Sequence, residues 1–178
     1  MPTPNRTTNE EVVAAAQEVL EGAGPGGLTM QAVAARVGVR APSLYKRFHD
    51  RDALLSAVVT ATIDELGARL EEAALDLRGL AHAYRAFAHE RPEAFRLVFT
   101  PYAEEDALRR SSAPVLRAAA ELVGEEDALP AARLFTAWAT GFLQMELAGA
   151  FRLGGSVDEA FDYGLERLRA GLTTAPRG

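Results

Sequence analysis

Cysteine is absent from the 178 residues, which excludes disulfides, thiolate metal sites and a thiol nucleophile. Lysine is nearly absent: Lys46 stands alone against eighteen arginines, so arginine is frequent everywhere and no single Arg marks a phosphate site. Histidine is scarce too. His82 and His89 lie seven apart, on one helical face, but no third ligand accompanies them, and no metal is expected. There is no phosphate-cradling glycine loop and no dinucleotide fingerprint. Ser111-Ser112 lacks a neighbouring His and the glycines of a nucleophile elbow. No catalytic residue, cofactor or enzymatic activity is therefore expected. Apolar runs break well before the roughly 18 residues of a membrane span. The first eleven residues hold no apolar stretch after Arg6, unlike a secretory leader. The expectation is a soluble cytoplasmic protein with no membrane partner.

The charge is unevenly spread. Net charge is −6, yet residues 30–51 carry Arg36, Arg40, Lys46, Arg47 and Arg51 against Asp50 alone, a local +4 on a body of −10. A polyanion responds to the local field rather than the global sum, so nucleic acid remains open as a partner.

Strand-like alternation is missing, and apolar residues recur at helical spacing along the chain, which predicts an all-α fold. Thr8 and Glu11 form a capping box for a first helix that the glycine-rich run 22–27 stops. Helices follow near 30–37, 41–48, 51–75, 77–90, 92–99, 104–122, 128–151 and 156–172. Pro114 is expected to kink or split its helix. Ser156 and Glu159 form a second capping box.

Residues 28–55, LTMQAVAARVGVRAPSLYKRFHDRDALL, meet the demands of a helix-turn-helix. Ala34 and Ala35 allow close helix crossing. Gly38 accepts positive φ in the turn. Val33, Val37, Val39, Leu44 and Phe48 supply apolar contacts. Arg40, Ala41, Pro42, Ser43 and Lys46 remain for an exposed face.

This segment resembles the DNA-binding segment of TetR-type transcriptional regulators, through Thr29, Ala34, Gly38, Val39, Leu44, Tyr45, Phe48, Arg51, Leu54 and Leu55. It departs at Arg40, where the family often has a helix-capping Ser, and at Arg47, where His or Tyr is common. The resemblance implies that Thr29, Tyr45, Lys46 and Arg51 hold phosphates and that Arg40, Ala41, Pro42 and Ser43 face base edges or sugar. It implies a homodimeric, ligand-responsive repressor on a palindromic operator of double-stranded DNA, with half-sites about 34–36 Å apart. Three or four basic phosphate contacts per subunit would give a salt slope of roughly −5 to −7. Two alternatives stay open: a DNA-binding regulator with no effector, and a helical binding module that no longer binds DNA.

The C-terminal part resembles the WHG-type domain of some of these regulators, through Trp138, Gly141, Phe142, Met145, Glu146, Gly149 and Phe151, with Thr140 at the family's His position. The expected division is a helix-turn-helix domain over 1–52 and a helical ligand-binding and dimerisation bundle over 53–178. Val157, Phe161, Leu165, Leu168 and Leu172 make one apolar stripe. The helix before it is apolar nearly all round, as a four-helix dimer seam requires. Leu143, Leu147, Phe151, Phe161, Leu165 and Leu168 are the expected dimer contacts. Phe87, Phe95, Phe99, Tyr102, Phe135, Trp138, Phe142 and Met145 are the expected lining of a cavity for a small apolar or aromatic effector.

Overall fold

The structure, a computed structural model, describes residues 7–73 and 76–174. All the regular structure among them is helical: α1 (Asn9–Gly27), α2 (Met30–Arg36), α3 (Ala41–Tyr45), α4 (Arg51–Glu72), α5 (Leu77–Glu90), α6 (Pro92–Phe95), α7 (Glu105–Val123), α8 (Ala128–Leu147) and α9 (Val157–Thr174). The chain forms two compact units. One comprises residues up to Glu65 with 91–108; the other comprises 66–90 with the chain from Arg109 onward.

In the first unit the expected caps set the helix starts. The Thr8 hydroxyl accepts from the Glu11 N–H at 3.1 Å, and the Glu11 carboxylate accepts from the Thr8 N–H at 2.8 Å. Regular α1 breaks at Gly24 (φ 68°), and one further helical turn runs through Pro25 to Gly27. Val12, Ala16 and Leu20 of α1, Met30, Val33 and Ala34 of α2, Leu44 of α3 and Leu54, Leu55, Val58 and Val59 of α4 form one core. Residues 92–99 do not make the single helix expected. After α6 the chain continues in successive turns, with Leu97 N–H on Ala94 O and Thr100 N–H on Leu97 O. The start of α6 is capped from a distance: the Glu21 carboxylate accepts from the Glu93 N–H (3.1 Å) and the Ala94 N–H (2.9 Å).

In the second unit α5 packs on α8 and α9. Tyr84 of α5 is buried, its OH 2.9 Å from the Thr140 hydroxyl of α8, and burial pushes its pKa up to about 12. Beside it runs a ladder of charge. Arg78, His82, Arg85 and His89 recur along one face of α5. They meet Glu166, Asp162, Asp158 and Glu146: Arg78 lies 3.5 Å from Glu166 and 3.6 Å from Asp162, and His82 3.1 Å from Asp162. Arg85 lies 2.6 Å from Asp158 and grips Glu146 bidentately, and His89 stands 3.3 Å from Glu146. Pro114 does not split α7, which is helical on both sides of it.

The aromatic residues of α8 and α9 stack on one another. Trp138 lies on Phe161 with ring centroids 5.3 Å apart, and Phe142 meets Phe161 edge-on at 5.2 Å. Gly164 makes room for this stack: a Cβ there would sit 2.6 Å from Cζ2 of Trp138. Gly164→Ala is expected to destabilise the protein by about 1–3 kcal/mol, because the indole of Trp138 must shift to make room for the Cβ. A urea midpoint that falls at constant m reads this directly; an unchanged midpoint refutes it.

Candidate nucleic-acid interface

The geometry of residues 29–51 follows from local rules. Thr29 caps α2, its hydroxyl accepting from the Ala32 N–H at 3.1 Å, which leaves its own O–H free to donate outward. Gly38 takes φ 71° in the turn, with Val39 N–H bonded to Ala34 O at 2.9 Å. Helix α3 is five residues long, shorter than the span to 48 that the spacing suggests, and a turn carries the chain on: Phe48 N–H reaches Leu44 O at 2.9 Å. Leu44 and Phe48 point into the core and fix which face of α3 is presented. Pro42, Ser43, Lys46 and Arg40 are exposed, Tyr45 is 53% exposed, and Ala41 is half-buried. The structure therefore brings Arg40, Ala41, Pro42, Ser43, Tyr45 and Lys46 together on and just beyond one short helix.

The cations of this segment are not equivalent. The Arg36 guanidinium is bound by the Glu18 carboxylate of α1, which cancels its charge. Arg47 donates to the Asn9 side-chain carbonyl at 3.1 Å, which positions it and leaves its charge intact. Arg51, expected at a phosphate, also makes contacts within the chain. Its Nε donates to Leu28 O at 2.8 Å and its Nη2 to Pro25 O, and Asp52 lies 3.6 Å away. The group ties the end of α1 to the start of α4 with two of its five N–H donors. Lys46 and Arg40 form no hydrogen bond or ion pair among the described residues. The anchors Asn9 and Glu18 were invisible in the sequence. Both lie on α1, 38 and 18 residues from the arginines they hold, and no local pattern announces such pairs.

Of the expected effector lining, Phe95, Phe99 and Tyr102 belong to the first unit and Phe87, Phe135, Trp138, Phe142 and Met145 to the second. Phe87, Phe95 and Phe135 are buried, Phe99 is 52% and Met145 49% exposed, and Trp138 and Phe142 join the stack on Phe161. Tyr102 directs its OH at Asp52 (3.3 Å). A cleft of about 280 Å³ on the second unit is lined by Arg78, Leu165, Glu166, Arg167, Arg169 and Ala170, none of them among the eight.

The expected dimer contacts divide as well. Leu143, Phe161 and Leu165 lie inside the chain's own core, Phe161 with 0% of its surface exposed, and offer a partner nothing to cover. Leu147 and Leu168 are half-buried, and Phe151 is exposed. The apolar stripe of α9 thus faces inward. The outward apolar stripe is on α8: Leu134, Ala137, Gly141 and Met145.

The defining sequence pattern of the tetracyclin repressor-like C-terminal domain matches residues 77–168, more than half of the chain, and that of the tetR family of bacterial regulatory proteins matches residues 12–58. The chain belongs to the TetR family. This regulator is 29% identical, over 186 residues, to an uncharacterised HTH-type transcriptional regulator of Mycobacterium tuberculosis (strain ATCC 25618 / H37Rv), covering 95% of this chain and 83% of that one. Among solved structures it is similar to a protein with unknown function from Rhodococcus sp. RHA1, with TM-score 0.80 and 28% identity over 98% of this chain and 100% of that one. It is also similar to a TetR variant from Acinetobacter baumannii AYE in complex with minocycline, with TM-score 0.72 and 26% identity over 93% and 96%. The TetR-type regulator is all-helical among its described residues, as the sequence predicts, and it is a helix-turn-helix transcriptional regulator.

Proposed function

We infer that this TetR-family regulator is a cytoplasmic repressor that binds a palindromic double-stranded DNA operator as a homodimer. Residues 1–52 carry the DNA contacts; residues 53–178 carry dimerisation and effector response. The observation that supports this best is the exposed face Arg40–Ser43 with Tyr45 and Lys46, held by a buried Leu44 and Phe48. Thr29, Tyr45, Lys46 and Arg47 then meet phosphates, and the first turn of α3 enters the major groove. Lys46 and Arg47 form no ion pair within 4 Å among the described residues and are the two cations assigned to phosphate. A dimer brings four, and the slope of log K against log salt is expected near −4, shallower than the raw count of arginines suggests.

The test is binding to the DNA upstream of the protein's own gene at several salt concentrations. Lys46→Ala and Tyr45→Ala are expected to weaken binding while sedimentation still reports a dimer, and Lys46→Ala is expected to make the slope shallower by about 2. Normal binding by both variants would remove the assigned contacts. The outward stripe Leu134, Ala137, Gly141 and Met145 supports α8 as the dimer face, and Leu134→Asp is the variant that should yield monomers.

For effector response, the similarity to a minocycline-bound TetR variant supports a small ligand with an aromatic ring. To move operator occupancy from 99:1 to 1:99, such a ligand must prefer the released state by about 5.5 kcal/mol. The exposure of Phe99 and Met145 and the packing of Trp138 and Phe142 on Phe161 favour a second reading, a repressor controlled by its own concentration. Release from operator by any of a set of planar apolar compounds decides between them.

A further inference from the structure

Resting on the DNA-binding reading above, we propose that Arg40 is the specificity determinant of this regulator and reads a guanine in each operator half-site. Arg40 occupies the N-cap of α3, with extended backbone (φ −89°, ψ 143°), and makes no side-chain cap hydrogen bond. A guanidinium has donors only, so it cannot accept from the helix N–H groups as Ser, Thr or Asp would. The other three helix starts with a short polar cap in or beside this segment use it: Thr8, Thr29 and Asp50 each accept a backbone N–H. At α3 the cap is given up, and a long cation stands in its place.

That cation is free for an outside partner. Arg36, Arg47 and Arg51 are held by Glu18, Asn9 and two backbone carbonyls, whereas Arg40 is exposed and engages no described group. Its neighbours cannot replace it as a reader. Ala41 has no polar side-chain atom and Pro42 lacks even a backbone N–H. Ser43 offers one hydroxyl that serves any base. Among residues 40–43 it is Arg40 that has the planar fork matching O6 and N7 of guanine in the major groove. The small side chains after it let the first turn of α3 lie close to the base edges. Symmetry of the dimer places the guanine twice, once on each strand.

The experiment is selection of bound sequences from random duplexes with the wild-type dimer, Arg40→Ala and Arg40→Gln, each checked for helicity and dimer mass. The wild type is expected to enrich a palindrome with one guanine per half-site that Arg40→Ala no longer demands. On that operator Arg40→Ala, which loses both contacts of the dimer, should bind at least about 30-fold more weakly, and on the guanine-substituted operator as well as the wild type does. Arg40→Gln should move the preference at that position towards adenine, whose N6 and N7 fit an amide. An unchanged selected sequence in Arg40→Ala overturns the proposal. So does a uniform loss on all sequences with the guanine preference intact, which would make Arg40 a phosphate contact. If the wild-type dimer enriches no palindrome at all, the DNA-binding reading itself falls, and this proposal with it.

Discussion

Phe161→Ala is expected to be the most damaging single truncation in the second unit, lowering stability by about 4 kcal/mol and the melting temperature by roughly 10 °C. The ring is fully covered. It stacks on Trp138, meets Phe142 and His82 edge-on, and carries the Arg85 guanidinium 4.9 Å from its centroid. Deleting it removes the shared surface of three rings and a cation at once, and the surrounding helices cannot close the gap without moving Trp138. The loss should be the same at low and high protein concentration, because the ring supports the subunit rather than a seam between subunits. A variant that keeps its midpoint but sediments as a monomer would return Phe161 to the dimer interface.

Arg85→Ala is expected to cost about 2–3 kcal/mol at neutral pH. Side chains of Arg85 and Glu146 are 15% and 11% exposed, so the variant leaves Glu146 largely buried with only His89 beside it. Burial alone would push the Glu146 carboxyl upward. Hydrogen bonds and charge from Arg85, helped by His89, hold it below the usual carboxylate range instead. A carboxyl depressed in the folded state stabilises the protein above its unfolded pKa, near 4.3, and loses that contribution as pH falls through the folded value. In Arg85→Ala the burial acts unopposed by the guanidinium, so ionised Glu146 becomes a cost at neutral pH. The gap between wild type and variant should therefore be widest near pH 7 and shrink below pH 4. The exposed arm to Asp158 adds little. Denaturation midpoints from pH 3 to 8 give the profile; a gap independent of pH would mean that the loss is one of packing alone.

The fold was legible where the cause is local. Thr8 and Ser156 cap helices as their spacing predicts, and Gly38 turns the chain where only a left-handed residue serves. The face of α3 was legible too, because Leu44 and Phe48 are the apolar pair at helical spacing there. What stayed hidden depends on partners distant in sequence. Arg51 reads like any exposed arginine until the carbonyls of Pro25 and Leu28 arrive beside it. Glu21 reads as a surface acid, yet it caps a helix 72 residues on. An α8 apolar on most sides contains no periodic signal to say which stripe is core. Leu143 lies on its buried side, and Leu134, Ala137 and Gly141 on its exposed one. Periodicity locates a face only when the opposite face is polar.

Lys46 is the chain's one side-chain amine, and it lies on the surface proposed to meet the duplex. Acylating or biotinylating reagents aimed at lysine will thus address the reading segment and leave the rest of the scaffold's side chains untouched. A coupling protocol harmless to most proteins would blunt this one at its working edge. The same protocol, run with the operator present, becomes a footprint with a single readable side chain.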